Sequence, residues 1–336
     1  MRQYIYYLLI GVIFILIGWF ANTAYNLPRS SNNPIAIVRP TPLAKYTIEN
    51  LSKADIKPAQ IEIGKILKDD PKFTSYEFTM NFSPDLSNDL KTTSGLINIP
   101  KGAGKFPVIA MFRGYVDPKN YFIGDGTTHS AETFAENGFI TIAPDFLGYG
   151  DSDREAVDVF ESRFQTYVTA ITLLKSIESS QSTNLPINHS SIFIWGHSNG
   201  GQISLTTLEA TGVNYPTVLW APVSKPFPYS ILYYTDDADD GGRFLRQKLA
   251  DFEKDYDTDL YSLTKYLSNI KAPIQLNQGT ADEAVPLVWS DNLNKNLKEA
   301  TVSAEYIKYP GADHNLTPGW GQAIENALTF YKKHLQ

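Results

Sequence analysis

Gly196-His197-Ser198-Asn199-Gly200 has the form G-x-S-x-G. It directly follows an apolar run at residues 191–195 that reads as a strand, and it opens residues 200–210, which read as a helix. In that setting the glycines permit a sharp strand-to-helix turn that lifts the Ser198 hydroxyl clear of the sheet edge. The start of the helix behind it favours developing negative charge. A serine hydroxyl is a weak nucleophile, so it needs a base, and the base needs an orienting acid. Asp282 and His314 fill those places. Asp282 lies in QGTADEAVP, directly after residues 274–277, and His314 lies in YPGADHNL, directly after residues 304–308, and both preceding stretches read as strands. Loops at the carboxyl ends of parallel strands gather on one rim of a sheet. Glu283 and Asp313 are the rival acids. Successive residues point apart, so Asp313 is badly aimed at His314, and Glu283 would have to displace Asp282. His129, His189, His197 and His334 do not follow the last strand, and His197 is expected to pack beside the turn.

Attack on a carbonyl creates an oxyanion, which needs fixed N–H donors. One expected donor is the backbone N–H of Asn199, next to the nucleophile. The second belongs to the loop after the strand at 107–112, which reads Arg113-Gly114-Tyr115. Gly114 lets the backbone come close, and the Tyr115 N–H is the expected donor.

These residues need a scaffold, and the rest of the chain alternates strand and helix. Residues 73–82 and 93–99 read as a hairpin. The short apolar run at 107–112 reads as a buried parallel strand, 139–144 as the next, and 217–220 as a further strand. Residues 127–137 read as a helix. A longer one carries Phe160, Phe164, Tyr167, Val168, Ile171 and Leu174 at helical spacing, with Ser152 or Asp151 as its expected cap. Residues 320–335 form an amphipathic closing helix. The alternation predicts a mostly parallel sheet with helices on both faces. Residues 222–270 interrupt it and read as an insertion, or lid, over one end of the sheet. Its acidic cluster, Asp236, Asp237, Asp239 and Asp240, is expected to be a solvated loop rather than a site for a substrate amine. Phe227, Tyr229, Tyr233 and Tyr234 could line a pocket or pack the insertion onto the core.

The chain has 336 residues, 43% of them apolar and 19% charged, enough to build a large core. A net charge of −7 argues against nucleic acid as a partner. No cysteine is present, which excludes disulfides, thiolate metal sites and a cysteine nucleophile. The chain holds no G-x-G-x-x-G, Walker loop or H-E-x-x-H, and no cofactor or metal is expected. Residues 4–21 are uncharged, and a helix of that length spans about 27 Å, close to a bilayer's hydrocarbon core. Tyrosines at one end and Trp19 at the other suit the interfaces. We expect a retained single-pass anchor at residues 1–25 and a proline-rich linker at 26–45. Residues 46–336 would form the catalytic domain, on the extracytoplasmic side of the membrane. Asn50, Asn81, Asn188 and Asn315 stand in Asn-x-Ser/Thr sequons.

GHSNGG, QGTADEAVP, YPGADHNL and APDFLGYGDSD (residues 143–153) resemble the α/β-hydrolase superfamily, and within it the prolyl oligopeptidase family of serine peptidases. The resemblance covers about residues 70–336. It implies an eight-stranded α/β-hydrolase sheet, a Ser198-Asp282-His314 triad and a serine-type peptidase acting on short peptides. A carboxylesterase on small acyl esters uses the same machinery and is the alternative; a non-catalytic binding module is the second. Two features depart from the family. The stretch before the catalytic core is too short for the β-propeller that typical members carry. Arg113 stands where many members have a tyrosine whose phenol assists the oxyanion.

Overall fold

The computed structural model describes residues 40–179, 185–238 and 240–336. The apolar run at 4–21 lies outside them, and with it the expected anchor. Among the described residues no helix is long and apolar enough to cross a membrane. Thr41–Gln336 form one compact unit. Among the described residues the first element is a 3-10 turn, Pro42–Tyr46, which overlaps the stretch expected to be linker. Its Leu43 and Tyr46 are buried. The Thr47 hydroxyl then accepts the Asn50 N–H and caps α1 (Ile48–Lys53).

Three antiparallel strands follow: β1 (Ile61–Asp69), β2 (Phe73–Phe82) and β3 (Lys91–Pro100). Strands and helices then alternate as β4 (Phe106–Phe112), α2 (Thr128–Glu136), β5 (Ile140–Pro144), α3 (Val159–Glu178), β6 (Ile187–His197), α4 (Asn199–Thr211) and β7 (Thr217–Trp220). The insertion holds α5 (Tyr229–Leu232), α6 (Arg243–Phe252) and several 3-10 turns. After it come β8 (Ile274–Gly279), α7 (Leu287–Glu299), β9 (Ala304–Tyr309) and α8 (Trp320–Lys333). The sheet order is β1-β2-β3-β5-β4-β6-β7-β8-β9, and every pair from β5 to β9 is parallel.

The sheet therefore has nine strands among the described residues, not eight. The extra one is β1. Only its Ile61 is buried, while Ile63, Ile66 and Leu67 face outward. Two irregularities break its register with β2, so no clean alternation marks it in the sequence. Lys65 and Lys68 on this edge pair with Glu77 and Glu132, and edge lysines discourage further strand pairing.

The central strands are buried on both sides. Val108, Ala110 and Phe112 of β4 enter one core, together with α1, α3, α4 and α7. Ile109 and Met111 enter the other, with Phe134 of α2 and Ile324, Phe330 and Tyr331 of α8. This two-sided burial is why these strands read as continuous apolar runs. Asp158 caps α3, accepting N–H groups of Phe160 and Glu161 at 2.9 and 3.0 Å. The expected caps Ser152 and Asp151 lie too early. The Ser152 hydroxyl instead accepts the Ser94 N–H and ties the loop after β5 to β3.

The insertion packs onto α3 through aromatic contacts. Phe227 sits 5.9 Å from Phe160, 5.8 Å from Phe164 and 5.5 Å from Phe252, ring centre to ring centre. Such pairs each add about 0.5–1.5 kcal/mol beyond burial. Two members of the acidic cluster serve local structure. Asp240 accepts the N–H groups of Gly242 and Phe244 at the start of α6, and Asp236 pairs with Arg246.

Candidate active site

Ser198 sits at the junction of β6 and α4 with φ 56° and ψ −119°, a conformation that non-glycine residues rarely adopt. The surroundings hold it there. Its N–H donates to Trp220 O at the end of β7, and its carbonyl accepts from Gly201 and Val223. A Cβ on Gly200 would lie 1.8 Å from Phe112 O, so the elbow can press this close to β4 only with glycine at that position.

Asp282 and His314 meet as expected. His314 Nδ1 donates to Asp282 Oδ2 at 2.9 Å, so Nε2 is the nitrogen left for a base. Asp282 Oδ2 also accepts from Gln278 Nε2 at 2.8 Å, and Oδ1 takes the N–H groups of Ala284 and Val285 at 2.9 and 2.8 Å. Burial alone would raise the carboxyl's pKa. The His314 contact and the Val285 N–H outweigh it and hold the group below its ordinary range, as a carboxylate. Ser198 Oγ makes no hydrogen bond to a described residue. Such contacts commonly close only when substrate binds.

The rivals are placed elsewhere. Glu283 is exposed. Asp313 accepts the N–H groups of Asn315 and Thr317 and shapes its own loop. His129 stacks on Trp320 at 3.9 Å, His189 bonds to Ile177 O, and His334 to Phe330 O. His197 packs beside the elbow, with its ring 4.7 Å from that of His314. Its Nε2–H donates to the His314 carbonyl at 3.0 Å. Enclosure, and then the neighbouring imidazole, push its pKa down to about 4, so it is a neutral donor at ordinary pH.

A Cβ added to Gly114 would lie 2.9 Å from Ser198 Cβ, so the loop after β4 passes directly over the nucleophile. Among the described residues the N–H groups of Tyr115 and Asn199 meet no acceptor. Asn199 is the first residue of α4, where the helix dipole adds to its N–H. The Tyr115 ring is exposed, so this tyrosine is brought to the site by its backbone rather than its phenol.

Arg113 has a role that the sequence did not reveal. Its buried guanidinium lies 3.9 Å from the centre of the Tyr149 ring and 4.9 Å from that of Tyr121. It donates to Gly114 O at 2.9 Å and to Asp145 O at 2.7 Å, bracing the Gly114–Tyr115 turn. Asp145 in turn is fully buried and accepts from Ser94, Tyr121 and the Gly124 N–H. A cavity of about 170 Å³ opens beside Gly114, Tyr115 and Asn199. A wider hollow of about 600 Å³, lined by His129, Trp195, Trp220 and Trp320, lies behind His197; the triad side chains line neither space, and the smaller cavity meets the site through Gly114, Tyr115 and Asn199.

A strained serine elbow, a buried Asp282 bonded to a half-buried His314 and a glycine loop over the nucleophile, all at the carboxyl ends of parallel strands, define an α/β hydrolase with a serine at its elbow. The family model of the prolyl oligopeptidase family matches residues 126–336, more than half of the chain, and the chain belongs to that family as a serine hydrolase. No curated protein sequence matches. Among solved structures, an acetyl xylan esterase from Paenibacillus sp. R4 superposes with a TM-score of 0.61 at 16% identity, covering 89% of this chain and 98% of that one. Acetyl xylan esterase 1 from Thermoanaerobacterium sp. JW/SL YS485 gives 0.59 at 18% identity, covering 88% and 95%. A puromycin-hydrolyzing peptidase from Mycobacterium tuberculosis gives 0.56 at 16% identity, covering 82% of this chain but 39% of that one.

Proposed function

We propose that the protein hydrolyses short acyl esters through an acyl-enzyme on Ser198. His314 Nε2 takes the hydroxyl proton as Ser198 Oγ attacks the ester carbonyl. Asp282 holds the imidazole in its Nδ1–H tautomer and balances the imidazolium. The N–H groups of Asn199 and Tyr115 receive the oxyanion. The C–O bond to the alcohol breaks, with the alcohol taking the proton from His314. Water, deprotonated by His314, then releases the acid and restores Ser198.

The observation that carries this reading is the hydrogen bond between the buried Asp282 and His314 beside the strained Ser198 elbow. The ester preference draws on the two esterases that this chain matches over nearly their whole length. Short peptides are the second reading, favoured by the family match. Assays on p-nitrophenyl acyl esters and aminoacyl p-nitroanilides, with Ser198→Ala as control, separate the two. Ester turnover that Ser198→Ala abolishes is expected, and anilide turnover of equal efficiency would favour the peptidase. If a fluorophosphonate fails to label Ser198 and neither substrate turns over, the fold serves as a binding module.

We also propose that residues 4–21 anchor the protein in a membrane with the catalytic domain on the extracytoplasmic side. Resistance of the full chain to alkaline carbonate extraction is the expected result, and release into the soluble fraction would overturn it.

A further inference from the structure

We propose that the cavity beside the oxyanion donors receives the acyl part of the substrate and reads a carboxylate at its far end through Arg163. The proposal rests on the acyl-enzyme reading above and narrows its substrate class. Gly114, Tyr115 and Asn199 form one side of the cavity, and Ser162, Arg163 and Thr166 of α3 form another. An acyl group whose carbonyl oxygen lies between the Tyr115 and Asn199 N–H groups therefore points its chain towards α3. At about 170 Å³ the space suits a chain of a few carbons.

The chemistry of the far wall is cationic. Arg163 Nη2 donates to Gln202 Oε1 at 2.6 Å, a neutral acceptor. Its Nε is buried and has no hydrogen-bond partner among the described residues, and no carboxylate there lies within ion-pair distance of it. Gln202 is itself fixed, since its Nε2 donates to the Tyr167 hydroxyl at 3.1 Å. The Arg163 fork is thus held at one nitrogen and unpaired at another. On the opposite wall Arg113 spends its Nη groups on Gly114 O and Asp145 O, and its Nε likewise meets no acceptor. Glu155 is the acidic residue among those lining the cavity, and it is engaged by the Ser162 hydroxyl.

Two guanidinium groups therefore face one carboxylate. An apolar acyl chain would displace water from Arg163 Nη1, which is not enclosed as Nε is and has no hydrogen-bond partner among the described residues, and would leave it without an acceptor, which costs free energy. A terminal carboxylate would supply that acceptor and match the planar fork. Half-esters of short dicarboxylic acids have this shape: an ester carbonyl at one end, two or three methylenes, and a carboxylate at the other.

The test compares kcat/KM for monoethyl succinate, ethyl levulinate and ethyl pentanoate on the purified protein, with turnover followed by acid release. Ethyl levulinate keeps the carbon skeleton and removes the charge. A preference for monoethyl succinate of at least tenfold over both neutral esters is expected. Arg163→Gln should cut that ratio at least tenfold, while Arg163→Lys, which keeps the charge but not the fork, should retain an intermediate ratio. A ratio near one in the native protein, or one that Arg163→Gln leaves in place, overturns the proposal. Fluorophosphonate labelling of Ser198 is run alongside. Labelling without carboxylate preference sinks this inference alone, and absence of labelling sinks the serine-hydrolase mechanism beneath it.

Discussion

Asp282 and Tyr115 lie on opposite sides of Ser198, and the fold treats their polar groups differently. Each Asp282 oxygen already holds two hydrogen bonds, from Ala284 and Val285 on one and from Gln278 and His314 on the other. The N–H groups of Tyr115 and Asn199 meet no acceptor among the described residues. The satisfied side keeps one geometry throughout the proposed reaction, so its donors can be spent in the resting protein. The open side has to receive charge that exists only while substrate reacts. Donors fixed in advance and left unpaired cost little reorganisation at that moment. The strained Ser198 backbone stands at the seam between the two sides.

Breaking the satisfied side has the largest expected effect. Asp282→Asn keeps the shape but takes away the charge, and its amide can donate to Nδ1, which leaves the proton on Nε2 and removes the base. A loss of about 10⁴-fold in kcat is expected, with KM little changed. Steady-state kinetics on a short p-nitrophenyl ester measures it. A loss under tenfold would show that another acid orients His314. Glu283 is then the one to test, since Asp313 is committed to its own loop.

Closing the open side comes next. In Gly114→Ala the new methyl would lie 2.9 Å from Ser198 Cβ and 3.4 Å from its Oγ. Either the loop withdraws or the serine turns, and in both cases the Tyr115 N–H loses its aim. The expected loss in kcat is about 10²- to 10³-fold, the scale of one missing oxyanion donor. Circular dichroism and thermal unfolding should show the fold intact, because the change is confined to the rim. Full activity would remove Tyr115 from the oxyanion hole.

The parts of this site that were legible in the sequence are those encoded locally. Ser198, Asp282 and His314 each come soon after a short strand, so the chain itself aims them at one rim. The glycines at 114 and 200 were legible for the same reason. Arg113 was not, because Tyr121, Tyr149 and Asp145 meet it only after β4, β5 and the loops between them have assembled. The unpaired state of Arg163 is likewise a tertiary fact. Ser152 and Asp151 both precede the helical pattern and so read as caps, and only the true start of α3 selects Asp158. Strand β1 was missed because it is exposed on almost every residue, which erases the alternation that marks half-buried strands.

His197 belongs to the satisfied side, and a smaller effect is expected there. Its Nε2–H holds the His314 carbonyl, so it is a positioning residue acting through the catalytic loop. His197→Phe keeps a ring beside His314 and loses the donor; a fall of roughly tenfold in kcat is expected, about 1.4 kcal/mol. His197→Gln keeps a donor and should recover part of it. Stability gives a second readout. The folded His197 has its pKa lowered from 6.5 to about 4, so the unfolded chain binds its proton first as pH falls. Native stability is therefore complete above about 6.5 and drains away between there and 4. Both variants should show a shallower fall in Tm across that window. A Tm profile parallel to the native one would refute the neutral buried state.

Glu209 tests whether an unpartnered buried group always serves substrate. It lies near the far end of α4, 2% exposed, with neither carboxyl oxygen hydrogen-bonded among the described residues. Burial pushes its pKa well up, which favours the neutral acid in the folded state. A raised folded pKa gives stability that is present in full below the unfolded value near 4.5 and lost as pH climbs through the folded one. Glu209→Met fills a similar volume without the polar atoms. Its Tm should exceed that of the native protein, by more at pH 8 than at pH 4, with kcat and KM on neutral esters unaltered. The expected gain is a few degrees, since an unsatisfied buried group costs about 1–3 kcal/mol and each kcal/mol moves Tm by about 2–4 °C in a chain of this size. A fall in activity would tie Glu209 to the elbow it shares a helix with. An equal gain at both pH values would mean that Glu209 is as easily ionised folded as unfolded. The unpartnered donors beside Ser198 differ from it in one physical respect: they line a cavity that a ligand can enter.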